Sequence, residues 1–134
     1  MSVSRIEALL DSISSTKGWT NPDMAPYRLR NPLMLRDFAL PGKNEVDENG
    51  YRVFDTLLAG YRAGLYDLEI KCKGGSRCGI KAHDPLDNLL RVYEISELGG
   101  QQAVVKFLKR ALKDDSINRN TPVNWFVETP NAAG

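Results

Sequence analysis

Residues 50–63 read G-Y-R-V-F-D-T-L-L-A-G-Y-R-A, and this stretch decides how the chain is expected to fold. Residues 51–54 form a short apolar burst with strand-like alternation. Asp55 or Thr56 then offers a side-chain oxygen that can accept a hydrogen bond from the first turn of a helix. The stretch therefore predicts an extended segment that leads directly into a helix over residues 56–71.

Two glycines determine how that predicted helix can pack. Gly60 and Gly64 are four residues apart, so they share one face and leave a smooth strip that another backbone can approach. Glycine inside a helix costs roughly 0.8–1 kcal/mol relative to alanine, which suggests a close contact here. Ordinary helix packing explains the spacing equally well. The buried stripe of this helix is expected to hold Leu57, Leu58, Tyr61, Leu65 and Leu68.

The composition is that of an ordinary globular protein. The 134 residues are 42% hydrophobic and 26% charged, with 18 Lys and Arg against 17 Asp and Glu. This balance favours neither nucleic acid nor an anionic membrane as a partner, although a local basic face stays possible. No apolar run approaches the ~20 residues that cross a bilayer, and we expect neither membrane insertion nor a signal peptide.

Cysteine and histidine give little support for a metal site. Cys72 and Cys78 flank a glycine-rich loop that closes a disulfide if oxidised, and free thiols are the other state that the sequence allows. A zinc site needs four ligands, and His83 is the only histidine. We therefore expect no metal and no cofactor.

Apolar periodicity and turn residues predict about four helices. Helix one covers residues 5–16, begins at a capping box and stops at Lys17-Gly18. Asp84-Pro85 begins helix three, which ends before Gly99-Gly100, and helix four covers residues 101–113. Five residues of helix four are expected to face inward: Val104, Val105, Phe107, Leu108 and Leu112.

The whole chain, residues 1–134, is expected to form a single mainly α domain. Residues 1–18 give the N-terminal helix, residues 51–113 the helical core, and residues 114–134 an apolar tail that docks on the domain or on a partner. Between them, residues 19–50 form a long irregular segment with a short helical turn near residues 33–38. The architecture is a compact helical bundle with at most a short strand or hairpin.

The order of several motifs resembles a family of small lytic domains from bacteriophages and prophages, relatives of virion-borne muralytic proteins with a lysozyme-like helical fold. The family pattern N-P-G-N-[IL]-R corresponds to N-P-L-M-L-R at residues 31–36. The pattern G-[FY]-x-x-F-[DE]-[ST]-x-x-x-G-x-R-A corresponds to residues 50–63. Residues 86–93 (L-D-N-L-L-R-V-Y) and 120–122 (N-T-P) match later motifs, so the resemblance covers roughly residues 30–126.

The chain departs from the family pattern in two loops. The glycine and asparagine of N-P-G-N are replaced by Leu33 and Met34. The family's A-P-P-x-E-N is replaced by E-I-S-E-L-G-G at residues 94–100. Both loops would line a groove for sugar or peptide, and both are more apolar here. The resemblance therefore implies either a lytic domain or the same scaffold without activity.

Cleavage of glycan strands needs a carboxylic acid whose pKa is raised by an apolar pocket. Glu45, Asp47 and Glu48 precede the central block and can supply it, and Glu97 is the other candidate. A solvated acidic turn is the ordinary role of the cluster over residues 45–48, and a charge at a helix end is the ordinary role of Glu97.

Four residues are candidates for substrate binding: Asn31, Arg36, Tyr51 and Arg62. The guanidinium groups suit bidentate contacts with the carboxylates of peptide stems, although surface ion pairs are their more frequent role. An aromatic ring such as that of Tyr51 can stack on a sugar, although such rings more often lie in the core.

Two functions therefore follow from the resemblance. The first is a phage virion protein with a peptidoglycan-degrading domain, a hydrolase or lytic transglycosylase that opens the cell wall during genome entry. The second is a structural component of the tail or capsid on the same scaffold. Both imply other virion proteins as partners, peptidoglycan as a further partner of the first, and no specific nucleic acid. A cytosolic host protein with an accidental match is a third interpretation.

Overall fold

Helices make up most of the computed structural model, which describes residues 4–36, 45–75 and 78–128. Within this part of the chain the structure contains isolated antiparallel bridges but no strand, so the predicted mainly α class is confirmed. The elements are α1 (Arg5–Thr16), α2 (Ala25–Arg28), α3 (Leu57–Cys72), α4 (Leu86–Val92), α5 (Leu98–Leu112) and a 3₁₀ helix at Val123–Val127.

Helix α1 lies at the centre of the fold. It begins and ends where the sequence predicts, because the Ser4 hydroxyl accepts a hydrogen bond from the Glu7 amide at 3.2 Å and Gly18 follows with a φ of 91°. The helix packs against α3, α5 and the 3₁₀ helix, which explains why so many of its residues are buried. Those residues are Ala8, Leu9, Leu10, Ser12, Ile13 and Ser14.

Helix α3 buries a different face from the predicted one. Thr56 caps it by accepting a first-turn amide at 3.0 Å, as expected. However, Leu57 and Leu58 are 43% and 56% exposed, so their predicted burial is wrong. Gly60 and Gly64 are buried together with later residues of the helix, whereas both leucines lie in its exposed first turn. The close contact at the glycines, and not the pattern of apolar residues, thus indicates which face of α3 is buried.

Helix α5 begins earlier than predicted. Gly99 and Gly100 lie in its first turn and do not separate two helices, while α4 already ends at Val92. A Cβ on Gly100 would lie 3.0 Å from a methyl carbon of Ile95, so this glycine serves close packing. Phe107 is 37% exposed, so its predicted inward orientation is also wrong.

In the described part of residues 19–50, the one helix lies earlier in the chain than the helical turn predicted from the sequence. Helix α2 occupies residues 25–28, with Pro26 in its first turn, where the missing N–H of proline needs no partner. The helical turn predicted over residues 33–38 is not formed in its described part, residues 33–36, and residues 37–38 lie outside the described ranges. Residues 51–54 form no strand and make isolated bridges from Tyr51 to Arg36 and from Arg52 to Val46.

The C-terminal segment packs on the body of the protein. Ile117, Val123 and Phe126 are almost fully buried in the main hydrophobic cluster. The Arg5 guanidinium lies 3.9 Å from the centre of the Trp125 ring and donates a hydrogen bond to the Trp125 carbonyl at 3.0 Å. This segment is therefore part of the core that surrounds α1.

No disulfide joins the two cysteines in the structure. Cys72 is buried at the end of α3, and Cys78 is exposed. Burial raises the pKa of the Cys72 thiol to about 12, so this side chain behaves as a small apolar residue of the core.

Candidate functional site

The glycine face of α3 receives the backbone of an arm, which we define as residues 30–36. A Cβ built on Gly60 would lie 1.7 Å from the carbonyl oxygen of Arg30 and 2.8 Å from its carbonyl carbon. One on Gly64 would lie 3.1 Å from a methyl carbon of Leu10 and 3.4 Å from side-chain atoms of Leu33. The close backbone approach suggested by the spacing of the two glycines is thus present, and its partner is the arm.

Asn31 holds the arm in shape. Its side-chain amide nitrogen donates to the carbonyl oxygens of Leu35 and Arg52 at 2.9 Å and 3.0 Å, and its side-chain oxygen accepts from the Leu35 amide at 2.8 Å. The residue has no exposed surface. The prediction that Asn31 binds substrate is therefore corrected: its polar atoms are already used by the backbone, and they fix the arm against residues 51–54.

The arm forms one wall of a cleft of about 240 Å³. The other walls come from Lys17 at the C-terminal end of α1, from Lys71 at the end of α3, and from the segment that follows α4. Residues 33–36 of the arm contribute apolar side chains and one guanidinium to the cleft. Tyr51 and Cys78 also line the cleft, so six separate parts of the chain meet here.

Arg36 and Tyr51 stand together in this cleft as a stacked pair. The guanidinium carbon of Arg36 lies 4.4 Å from the centre of the Tyr51 ring. Its nitrogens donate to the Tyr51 hydroxyl at 3.1 Å and to the Asn49 carbonyl at 3.0 Å. Because three contacts fix the guanidinium, its position is set before any ligand binds. Both residues are among the predicted binding residues, and the structure brings them together.

Two residues of the cleft wall have left-handed backbone conformations. Met34 has a φ of 54° and Glu94 a φ of 66°, although neither is glycine. Such conformations cost of order 1–3 kcal/mol and persist where the surrounding structure enforces them, often at functional sites. Here they shape the rim of the cleft, and Glu94 is its exposed carboxylate.

A buried polar network lies at the floor of the cleft. The Lys71 ammonium pairs with the Asp67 carboxylate one turn earlier in α3. The Tyr93 hydroxyl donates to the same carboxylate oxygen at 2.5 Å. Burial, followed by the charge of Asp67, raises the pKa of Tyr93 well above its ordinary value, so this phenol stays protonated.

The predicted acidic residues lie at the edges of this region or outside it. Glu45 and Glu97 are exposed and line no described cavity. Glu48 lines a neighbouring depression of about 320 Å³ that shares Met34 and Tyr51 with the cleft. The Asp47 carboxylate caps the turn between Glu48 and Tyr51. Asp47 lines the same depression as Glu48, so these two of the predicted acids lie close to the candidate site.

Arg62 lies apart from the other predicted binding residues. It is exposed on α3 and lines neither the cleft nor the neighbouring depression. The residues that sequence reasoning missed are Lys17, Asp67, Lys71, Tyr93 and Glu94. Asp67 and Lys71 continue the face of Gly60 and Gly64 at helical spacing, so the glycine pattern already indicated which side of α3 they share.

Comparison of the chain with protein families, with curated proteins and with solved structures finds no match. Across the described ranges, no helix combines the length and the apolar character that crossing a membrane requires. The candidate site therefore stands on the geometry of this chain alone.

Proposed function

We propose that the chain is a bacteriophage virion protein with a lysozyme-like domain of the muralytic type, whose cleft binds peptidoglycan. The observation that carries the proposal is the stacked pair of Arg36 and Tyr51 in a cleft of about 240 Å³. Three segments that contribute side chains to this cleft, residues 31–36, 50–63 and 86–93, also carry the resemblance to phage lytic domains.

The chemistry of the cleft suits a cell-wall fragment. A guanidinium matches the geometry of a carboxylate, such as those of peptide stems. Apolar side chains of Leu33, Leu35 and Val92 add surface that can contact the less polar faces of a sugar or peptide. Mostly apolar walls with a few placed polar groups are typical of ligand sites.

A sedimentation assay with purified peptidoglycan sacculi tests binding. We expect the wild-type protein to sediment with sacculi and Arg36→Ala to bind about tenfold or more weakly, because losing a charge-assisted contact costs about 1.5–3 kcal/mol. Arg62→Ala is the matched control, since it removes an exposed arginine that does not line the cleft. If Arg36→Ala binds like the wild type, or if Arg62→Ala shows the larger loss, the proposed site is wrong.

Cleavage by the same cleft would rest on Glu48 and Glu94. Most glycoside hydrolases use two carboxylates on either side of the bond. Glu48 and Glu94 line the neighbouring depression and the cleft, and the two cavities meet at Met34 and Tyr51. A zymogram tests this role: clearing by the wild type that is lost in Glu48→Gln or Glu94→Gln supports it. If the protein binds sacculi but produces no clearing, it is a wall-binding protein without hydrolase activity.

A structural role in the particle is the second candidate function. It is favoured by the exposure of Leu57 and Leu58, two large apolar side chains at the start of α3. If neighbours in a tail or capsid cover them, Leu57→Ser with Leu58→Ser should release the protein from purified virions while its own stability is unchanged. Truncation after Thr121 is a poorer test, because it removes Val123 and Phe126 from the core.

A further inference from the structure

The floor of the cleft holds three polar side chains that are more than nine-tenths buried. Asp67 and Lys71 are each 7% exposed and Tyr93 is 5% exposed. Lys71 and Tyr93 also line the cavity. The network is thus removed from bulk solvent and still borders the space in which a ligand would lie.

Stability alone does not account for this network. A buried ion pair loses hydration that its attraction often fails to offset, and apolar residues of similar size are commonly as good or better. The same face of α3 is apolar at Leu68 and Cys72, so an apolar floor would fit the surroundings. A polar network beside a cavity therefore points to a ligand.

The carboxylate of Asp67 is held from inside the protein. One of its oxygens receives both the Tyr93 hydroxyl and the Lys71 ammonium. An ammonium carries three donors, and Asp67 accepts one of them, so Lys71 keeps donors for a further acceptor. Tyr93 and Asp67 together orient Lys71 toward this role without using up its hydrogen-bonding capacity.

The remaining charges of the cleft are mainly positive. Lys17 and Arg36 line it together with Lys71, and Glu94 is the acidic residue among the lining side chains. Lys17 is half-buried at the C-terminal end of α1. With Asp67 paired to Lys71, three cations face two carboxylates, and the resulting net charge of +1 favours an anion of modest size.

We propose that Lys71 and Lys17 bind a carboxylate of the ligand, so that the cleft holds peptidoglycan through the charge of its peptide stem. This inference rests on the proposed function, since it names the part of the cell wall that occupies the same cleft. A carboxylate supplies the acceptor that Lys71 lacks and carries the charge that three cations favour. Asp67 acts as a positioning residue, because it pairs with Lys71 and does not line the cleft, and Tyr93 supports it by donating to its carboxylate.

Isothermal titration with three probes tests the proposal. The probes are an acetylated dipeptide of D-alanine with a free carboxylate, the same dipeptide amidated, and an uncharged oligomer of N-acetylglucosamine. We expect the carboxylate probe to bind at least tenfold more tightly than its amide, and the sugar oligomer to bind no better than the amide. Equal binding of the acid and the amide would overturn the proposal.

Substitutions connect the preference to the named residues. Lys17→Met and Lys71→Met should each remove most of the preference for the carboxylate, whereas Lys106→Met, an exposed lysine on α5, should leave it unchanged. Lys71→Met leaves Asp67 without its cation, so the double variant Asp67→Asn with Lys71→Met keeps the fold testable without an unpaired buried charge. A double variant that folds and still prefers the carboxylate would also overturn the proposal.

The outcome separates this inference from the proposed function. If sacculi bind and Arg36→Ala weakens that binding while the acid and amide probes bind alike, only the carboxylate assignment fails. If neither sacculi nor any probe binds, the proposed function fails with it.

Discussion

Replacing Gly60 by alanine tests the contact that creates the cleft. The added Cβ would meet the Arg30 carbonyl oxygen at 1.7 Å, and this oxygen belongs to the backbone. An ordinary contact between carbon and a carbonyl oxygen is about 3.3 Å, so the arm must move away from α3 by roughly 1.6 Å. The arm is also held by Asn31, and the side chain of Arg30 donates to the Phe54 carbonyl at 3.2 Å, so this movement strains contacts on its other side.

The expected loss of stability follows from one favourable and two unfavourable contributions. Alanine is a better helix former than glycine by about 0.8–1 kcal/mol, which favours the variant. Overpacking costs typically 1–3 kcal/mol, and the upper end or more applies here because the clashing atom is backbone and cannot change rotamer. Disturbing the buried hydrogen bonds of Asn31 adds about 1–2 kcal/mol. We therefore expect Gly60→Ala to lose about 2–4 kcal/mol of unfolding free energy.

Urea unfolding measures this loss, and Gly64→Ala is the matched control. At Gly64 the nearest atoms belong to flexible side chains of Leu10 and Leu33, at 3.1 Å and 3.4 Å, so they can yield slightly. The gain in helix propensity should then keep Gly64→Ala within about 1 kcal/mol of the wild type. The reasoning would be refuted if Gly60→Ala were as stable as Gly64→Ala, because the arm would then not press on this face.

Three further predictions follow from individual side chains. Asn31→Ala should lose about 2–4 kcal/mol in urea unfolding, because buried backbone groups lose their partners, and an unchanged midpoint would contradict this role. Burial raises the pKa of Asp11, whose carboxylate accepts from the Tyr61 hydroxyl at 3.2 Å. The stability of the protein should therefore fall as the pH rises from 3.8, the ordinary pKa of an aspartate, through the raised pKa of Asp11. In thermal melts, Asp11→Asn should reduce this dependence of stability on pH. An equal dependence in both proteins would contradict the prediction. Burial lowers the pKa of Lys17 below 10.5, the ordinary pKa of a lysine. Binding of the carboxylate probe should therefore weaken as the pH rises through this lowered pKa, and an affinity that stays constant up to pH 10.5 would contradict the prediction.

The helices were predictable from the sequence where a local signal fixes their ends. Ser4 and Thr56 cap α1 and α3 through hydrogen bonds made within three residues, so the sequence contains all the information that these ends need. The close contact at Gly60 and Gly64 was also predictable, because two helical glycines on one face let another part of the chain approach the helix closely. The lysozyme-like character of the bundle remains a proposal.

The features that were mispredicted depend on contacts between distant residues. Leu57 and Leu58 fit the apolar stripe of the helix in sequence, but they lie in its first turn, before the buried residues that begin at Gly60. Gly100 resembles a helix stop in sequence and is instead a packing site for Ile95. Asn31 carries the polar group expected of a binding residue; its partner Leu35 lies within the same motif, but its partner Arg52 lies 21 residues away and is not indicated by that motif.

The sequence predicted only some of the residues that line the cleft. Arg36 and Tyr51 were predicted as binding residues from their side-chain chemistry, and their stacking depends on the bridge between Arg36 of the arm and Tyr51. Lys17 and Glu94 each stand at the end of a helix, where an ion of either sign is ordinarily a surface charge. Their shared position follows from the packing of α1 and α4 around the arm, which periodicity does not specify.

Mapping of amide chemical shifts by NMR during titration with soluble peptidoglycan fragments tests the central claim, that the cleft is the ligand site, most directly. The account predicts that the largest changes fall on residues 33–36, on Tyr51 and on residues 93–94, with little change along α5. Changes confined to α5, or to the exposed start of α3, would contradict it and move the functional surface away from the cleft.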